Sequence, residues 1–379
     1  KRLIRALQSH LGLSCAAVKA TGTGGIVDSA AHTEAGAVAT FDQVDSGLCV
    51  CRGMETPMTA LPPVHILYEN PDWLPPLLDG LAAEGFTDVR PIALVDGLVD
   101  PNRPPAEGIW LNRISPSSHT RGHAATIELG REVLYWLEAH GRRVVNGLNA
   151  FELEVSKFRQ DMVLRRFGIR TPRTVLAIGR HRILEAAARF EGPFITKHNQ
   201  GGKGLGIQRF DHADELASWL DDPRFDPGPG GKVVLQQYIA SPEPFITRVE
   251  LVGGRFVYAM RSDTSAGFEL CPSDACQLPK ATPEVCPADG SGSKFSPSPL
   301  SPDAPIIARY AALCRAEGID VAGIEFIEDA EGRRYTYDIN GTTNYSGVFG
   351  RRIGVDGMRV LARYLRTEVV PVPEVRRVA

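Results

Sequence analysis

Gly323-Ile324-Glu325-Phe326-Ile327-Glu328-Asp329-Ala330-Glu331-Gly332-Arg333-Arg334-Tyr335-Thr336-Tyr337-Asp338-Ile339-Asn340 reads as two alternating strands around an Asp-Ala-Glu-Gly turn. With Asp329 opposite Gly332, Glu325 stands opposite Thr336. Side chains on strands alternate with period two. Glu325, Thr336, Asp338 and Asn340 therefore share one face, while Ile324, Phe326, Tyr337 and Ile339 turn toward a core. Two carboxylates and an amide oxygen on one face suit a hard cation such as magnesium, which takes oxygen ligands and commonly substrate phosphates as well. Solvated strands also carry acids for solubility alone, so the ribbon by itself does not decide a function.

A second segment stands upstream, Phe194-Ile195-Thr196-Lys197-His198-Asn199-Gln200-Gly201-Gly202-Lys203-Gly204-Leu205-Gly206-Ile207. An apolar strand delivers a lysine, and a glycine-rich turn with a second lysine follows. Glycines let backbone N–H groups approach phosphate oxygens, and the lysines add positive charge. No Ser or Thr follows Gly-Lys and no helix opens there, which excludes a Walker A loop. A dinucleotide fingerprint at a strand-to-helix turn is equally absent.

Around these segments lies a chain of 379 residues, 43% of them hydrophobic, enough for two or three domains. A formal net charge of −3 offers no basic field for nucleic acid or an anionic membrane. No apolar run approaches the roughly 18–20 residues of a membrane span, and no secretory signal is evident, so a cytoplasmic protein is expected. Of the seven cysteines, Cys271, Cys276 and Cys286 lie close together without a Cys-x-x-Cys pair, and ordinary thiols are the expected reading.

Residues 1–60 differ from the rest. Arg2 to Val18 suits a short helix, Ala20 to Gly53 lacks periodicity, and Met58 is an attractive native start, with the upstream residues either an over-extended reading frame or a disordered leader. Over residues 61–150, strands (Val64–Tyr68, Val89–Ile92, Ile109–Leu111, Val144–Val145) alternate with helices (Leu74–Glu84, Ala124–His140). That pattern predicts a small parallel α/β domain. A helix capped by Ser156 runs to Phe167. Antiparallel strands are then expected over Val233–Tyr238, Phe245–Leu251, Arg255–Met260, Val321–Glu328 and Arg334–Ile339, with a hairpin at Gly253-Gly254. Residues 271–305, rich in Pro, Ser and Gly, suit a long surface loop.

In this order, the lysine–glycine segment and the Glu…Asp-x-Asn ribbon resemble the ATP-grasp superfamily. The likeness is nearest to its RimK-type glutamate ligases and related carboxylate–amine ligases, and it covers roughly residues 105–365. It implies an α/β (α+β) fold with an N-terminal parallel α/β domain and two antiparallel α+β subdomains enclosing a nucleotide. A central lid would span about 190–240 and a metal-binding part 241–370, within an ATP-grasp domain over 151–370. It further implies an enzyme that joins a carboxylate to an amine through an acyl phosphate, releasing ADP and phosphate.

By this resemblance Glu325, Asp338 and Asn340 hold two Mg2+ ions, or Mn2+ in their place, against ATP. Lys157 and Lys197 reach the phosphates, and Gly201, Gly202, Lys203 and Gly204 belong to the loop that closes over them. Gln236, Gln237, Tyr238 and Ile239 form the adenine hinge, and Arg248 and Arg261 face the phosphates or the acyl phosphate. Thr247 stands where RimK-type enzymes carry a ribose-binding acid, and Glu243 is the substitute. After Arg261 the chain reads Gly267-Phe268-Glu269-Leu270-Cys271-Pro272 instead of a basic segment, so glutamate specificity is not carried over. His198 and Asp263 are candidates for the base. Small-molecule or peptide substrates and a homo-oligomer stay open, as do two other readings: a kinase-like phosphotransferase and a silent ATP-binding regulator.

Overall fold

The computed structural model describes residues 61–202, 204, 206–265 and 294–369, together with four short strands before residue 61. The chain divides into two units, Lys1–Ala60 and Leu61–Ala379. In the first, β1 (Ala20–Thr21) pairs with β2 (Gly25–Ile26), and β3 (Thr40–Gln43) with β4 (Cys49–Arg52), both antiparallel. The helix expected before Val18, Met58, and Cys271, Cys276 and Cys286 lie outside the described residues.

The second unit opens with a parallel sheet of β5 (Val64–Tyr68), β6 (Val89–Ala93), β7 (Ile109–Arg113) and β8 (Arg143–Val145), in the order β6-β5-β7-β8. The two central strands are apolar runs because helices must cover both faces of a parallel sheet. α1 (Pro75–Ala83) and α2 (Thr126–Ala139) do so, and α2 buries the four residues expected of it, Ile127, Val133, Leu134 and Leu137.

α3 (Leu148–Glu154) and α4 (Lys157–Arg166) lead out of this sheet. The Ser156 hydroxyl caps α4, accepting from Arg159 N at 3.3 Å. An antiparallel sheet follows, ordered β11-β10-β12-β9, from β9 (Thr174–Ile178), β10 (Phe194–His198), β11 (Gln208–Phe210) and β12 (Lys232–Gln237). α5 (Arg180–Ala187) and α6 (Ala213–Trp219) pack on it through Ile183, Leu216, Phe194 and Phe210. The glycine-rich turn joins β10 to β11.

The third sheet, ordered β15-β14-β13-β16-β17, contains β13 (Phe245–Val252), β14 (Arg255–Asp263), β15 (Phe295–Pro297), β16 (Val321–Glu328) and β17 (Arg334–Asn340). Gly253-Gly254 makes the β13–β14 hairpin as expected, with φ of 57° and 69°. Phe295–Pro297, expected to lie in a surface loop, is instead an edge strand, and Phe295 is buried. α7 (Pro305–Glu317) covers one face of the sheet through Ile307, Tyr310 and Leu313.

The register of the β16–β17 ribbon differs from the expected one. Glu325 pairs with Asp338, but Phe326 pairs with Thr336, so Tyr337 is an extra residue in a β-bulge. One inserted residue reverses the faces of its neighbours. Thr336 turns into the core, fully buried, with its Oγ1 2.6 Å from the Tyr310 hydroxyl. Tyr337, expected in the core, turns the other way. Glu325, Asp338 and Asn340 keep a common face.

The chain closes with α8 (Gly347–Ile353) and α9 (Gly357–Val369). α9 returns to α1, sharing a core of Leu77, Leu81, Met358, Leu361 and Leu365. Gly80 makes the close approach possible, since a Cβ there would stand 3.1 Å from the Met358 carbonyl carbon. Arg359 and Arg363 both donate to Glu84 at the edge of this contact. Among the described residues, no helix is long and apolar enough to cross a membrane.

Asn146, just after β8, joins the parallel sheet to the ribbon sheet. Its φ of 55° is the only left-handed value among the described non-glycine residues. Its Oδ1 accepts from Asp320 N (2.8 Å) and Val321 N (3.0 Å), and its Nδ2 donates to Val321 O and Gly341 O, both at 2.9 Å. The amide is thereby saturated. Asn146→Ala strands four backbone groups and adds left-handed strain, and is expected to destabilise by about 2–4 kcal/mol. Urea unfolding checks this; Asn146→Gly, which relieves the strain alone, should fall between the two, and a wild-type midpoint for the alanine variant would contradict it.

Candidate functional site

A cavity of about 520 Å³ is lined from all three sheets. The ribbon contributes Glu325, Tyr337, Asp338 and Asn340, α4 contributes Lys157, and β10 contributes Ile195, Lys197 and His198. Gln236 to Ile239 form one end, and Trp73 with Ser115, Pro116 and Ser117, from loops after β5 and β7, form the other. Two residues 168 positions apart, Lys157 and Glu325, thus face the same space.

Lys157 is placed by the first turn of α4, whose N–H groups are tied to the end of β10: Lys157 N donates to Asn199 O at 3.0 Å, and Phe158 N to Asn199 Oδ1 at 3.1 Å. Its Nζ lies 2.6 Å from Asp338 Oδ1. Burial acts to raise the Asp338 carboxyl, but Lys157 and Lys197 together hold it below the usual carboxylate range. Glu325 behaves oppositely. Burial pushes its carboxyl up, while Arg248 opposes that rise.

Arg248 is fully committed. Its Nε donates to Glu250 Oε1 (2.6 Å), Nη1 to Glu325 Oε1 (2.8 Å) and Nη2 to Thr343 Oγ1 (3.0 Å). The guanidinium lies across Gly323, where a Cβ would stand 2.0 Å from Nη2, so only glycine leaves room for it. The loop after Asn340 is clamped too. Glu154 accepts from Thr342 N at 2.8 Å, and Arg113 donates to Thr343 O at 2.6 Å and to Asn344 Oδ1. Burial raises the Glu154 carboxyl to about 7, against the hydrogen bonds from Thr342.

Lys197 is buried and pushed down to about 7, first by desolvation and then by the neighbouring Lys157 charge. Its ammonium lies 5.5 Å from the centre of the Tyr337 ring. At the other end, Gln237 N donates to Arg173 O and Tyr238 N to Pro193 O, whereas Ile239 N has no backbone partner among the described residues. Ile195, Ile207 and Ile327 give this end apolar walls.

The donor set fits a hard divalent cation. Glu325 and Asp338 are directly opposite each other, which sets their Cβ atoms about 4.5–5.5 Å apart. Asn340 lies two residues beyond Asp338 on the same face, and its Nδ2 donates to Gly323 O at 3.3 Å, leaving the amide oxygen for a cation. Among the described residues, no group of three or more His, Cys, Asp or Glu side chains is placed to hold a metal. A cation here would complete its shell with oxygens from a ligand and water.

The remaining expected residues fall as follows. Gly201, Gly202 and Gly204 line the cavity, and Lys203 lies outside the described residues. Glu243 lines it beside the hinge. Arg261 is not brought together with Arg248: it pairs across from Thr247, one residue out of step, and so turns to the opposite face, 4.1 Å from the Phe245 ring centre. His198 Nε2 is 2.9 Å from Asp226 O, and Asp263 accepts from Ser265 N at 2.7 Å, so both have structural partners. Tyr337, Glu154 and Arg113 were not singled out from the sequence. A bulge hides the first, and the other two are isolated charges in apolar surroundings.

No family model matches the chain. It is 25% identical over 231 residues to a D-alanine–D-alanine ligase of Pseudomonas putida (strain GB-1), a match covering 59% of this chain and 67% of that protein. Among solved structures it is similar to a RimK-domain ATP-grasp protein from Sphaerobacter thermophilus DSM 20745, with a TM-score of 0.57, 16% identity, and 80% and 98% of the two chains covered. It is also similar to the D-cycloserine synthetase DcsG, with a TM-score of 0.54, 19% identity and coverage of 81% and 100%. The ATP-grasp ligase PsnB, solved with a phosphomimetic variant of its minimal precursor, Mg and ADP, aligns with a TM-score of 0.55, 15% identity and coverage of 82% and 100%. A cavity between two antiparallel sheets, with Lys197 on one and an acidic ribbon on the other, is thus set in an architecture common to these proteins: the chain has the ATP-grasp fold.

Proposed function

We propose that the protein is an ATP-dependent carboxylate–amine ligase, forming an amide or peptide bond through an acyl phosphate and releasing ADP and phosphate. The observation that carries this reading is the convergence, in one cavity, of Lys157, Lys197 and Arg248 with Glu325, Asp338 and Asn340. The D-alanine–D-alanine ligase, the cycloserine synthetase and PsnB support the ligase class over a phosphotransferase.

A carboxylate is a poor acyl donor because its oxygen leaves badly, and transfer of the ATP γ-phosphoryl onto that oxygen remedies this. Ile239 N–H would donate to an acceptor nitrogen on the adenine edge, and the Ile195, Ile207 and Ile327 walls would hold the ring. Glu243 would meet the ribose. Lys157 and Lys197 would bind phosphate oxygens, and the turn over Gly201–Gly206 would close on them and exclude water. Glu325, Asp338 and Asn340 would hold magnesium, two ions or manganese in their place, which supplies charge neutralisation during phosphoryl transfer. Arg248 orients Glu325. The carboxylate and amine would enter at the Trp73 and Ser115–Ser117 end, either as small molecules or as a peptide, in the cytoplasm where ATP is abundant. Residues of about 190–240 would act as the central lid subdomain and residues 241–370 as the metal-binding subdomain.

Glu325→Ala or Asn340→Ala should lower magnesium-dependent turnover at least about 100-fold while the chain stays folded, as circular dichroism reads. An ATP-consumption screen over carboxylate and amine libraries, with product analysis, supplies the assay. A new amide with ADP and phosphate supports the ligase. A phosphoester means a phosphotransferase, and ATP binding without turnover across the library means a regulator.

Lys197 gives a pH signature. With its ordinary value lowered to about 7, the free ammonium is mostly neutral at pH 8. Phosphate oxygens favour the charged form, so ATP binding should take up a proton there. Affinity should fall as pH rises above 7, by up to about tenfold per unit. Calorimetry in buffers of different ionisation enthalpy measures the uptake; Lys197→Met should weaken binding and abolish it, and proton-neutral binding by the wild type would exclude this role.

A further inference from the structure

The one-residue bulge in the ribbon brings Tyr337 into the cavity between two groups that the proposed chemistry needs. Its hydroxyl donates to Glu325 Oε2 at 3.2 Å, and its ring underlies the Lys197 ammonium, 5.5 Å from the ring centre. The other oxygen of Glu325 is already fixed by Arg248 Nη1 at 2.8 Å. Both carboxylate oxygens therefore have a protein donor, which locks the plane of the carboxylate, and each oxygen retains a second acceptor direction for a cation. A carboxylate held in this way loses little rotational freedom when it takes a metal.

Glu325 pairs across from Asp338 on one side and Arg248 on the other. A phenol has an ordinary value of about 10, so the group keeps its proton at neutral pH and acts as the donor. In an unbulged ribbon Thr336 would occupy the cavity face instead, and its short side chain would not reach across to Oε2.

We infer that Tyr337 is a positioning residue for metal binding: it orients the Glu325 carboxylate through its hydroxyl and supports Lys197 through its ring. This rests on the ligase reading of the same cavity and adds to it a residue outside the ligand set. Partners one shell out from a metal commonly change its affinity by 10–100-fold when removed.

The test uses the full chain and two variants, Tyr337→Phe and Tyr337→Leu. ADP binding is followed by calorimetry, first without divalent ions and then over a magnesium series, with manganese binding in the presence of ADP read by electron paramagnetic resonance. For Tyr337→Phe we expect metal-free ADP affinity within about twofold of wild type and a metal affinity weaker by about tenfold or more. Tyr337→Leu should lose the same metal affinity and also weaken metal-free ADP binding, because the ring beneath Lys197 is gone. Unchanged metal affinity in Tyr337→Phe would overturn the inference. Equal losses with and without metal in that variant would overturn it too, since the tyrosine would then act as a nucleotide contact. If the wild type itself binds no nucleotide with magnesium, the ligase reading fails instead, so the two failures are distinguishable.

Discussion

The ion pairs Lys157–Asp338 and Arg248–Glu325 sit in one desolvated space, and the rest of the molecule is arranged to make that tolerable. Removing charges from water costs several kcal/mol per ion, so each must find a partner of opposite sign with good geometry. Here the partners come from different elements. Lys157 opens α4, Arg248 lies in the middle of β13, and both acids lie on the β16–β17 ribbon. Arg248 additionally needs Glu250, Thr343 and the bare backbone of Gly323. The cluster holds together only while α4 keeps its place against the third sheet.

Polar clamps on the loop after Asn340 brace the ribbon. Asn146, Glu154 and Arg113, all from the N-terminal parallel region or the helix that follows it, hold Gly341, Thr342, Thr343 and Asn344. α9 then ties the same parallel region to the C-terminal end of the chain through Leu361 and Leu365.

The lysine strand, the parallel region and the acidic ribbon were legible because each depends on local periodicity or on a residue type with one evident physical use. β5, β16 and the Ser156 cap lie where alternation and capping chemistry place them. The Tyr337 side chain was not legible: an alternating pattern predicts it in the core, and only the pairing shows the inserted residue. Phe295–Pro297 was hidden for another reason, because proline and serine composition describes a loop while the edge of β14 recruits the segment as a strand. Arg261 shows the converse limit. A resemblance can name an arginine, but a one-residue offset from Arg248 decides which face of the sheet it reaches.

The most direct measurement is a crystal structure of the full chain with magnesium and a non-hydrolysable ATP analogue. The account predicts magnesium about 2.0–2.1 Å from oxygens of Glu325, Asp338 and Asn340 and from the phosphates. It also predicts the Lys157 and Lys197 ammonium groups on phosphate oxygens, and the base edge on Ile239 N–H. A nucleotide seated elsewhere, or metal ions bound without those three side chains, would contradict it.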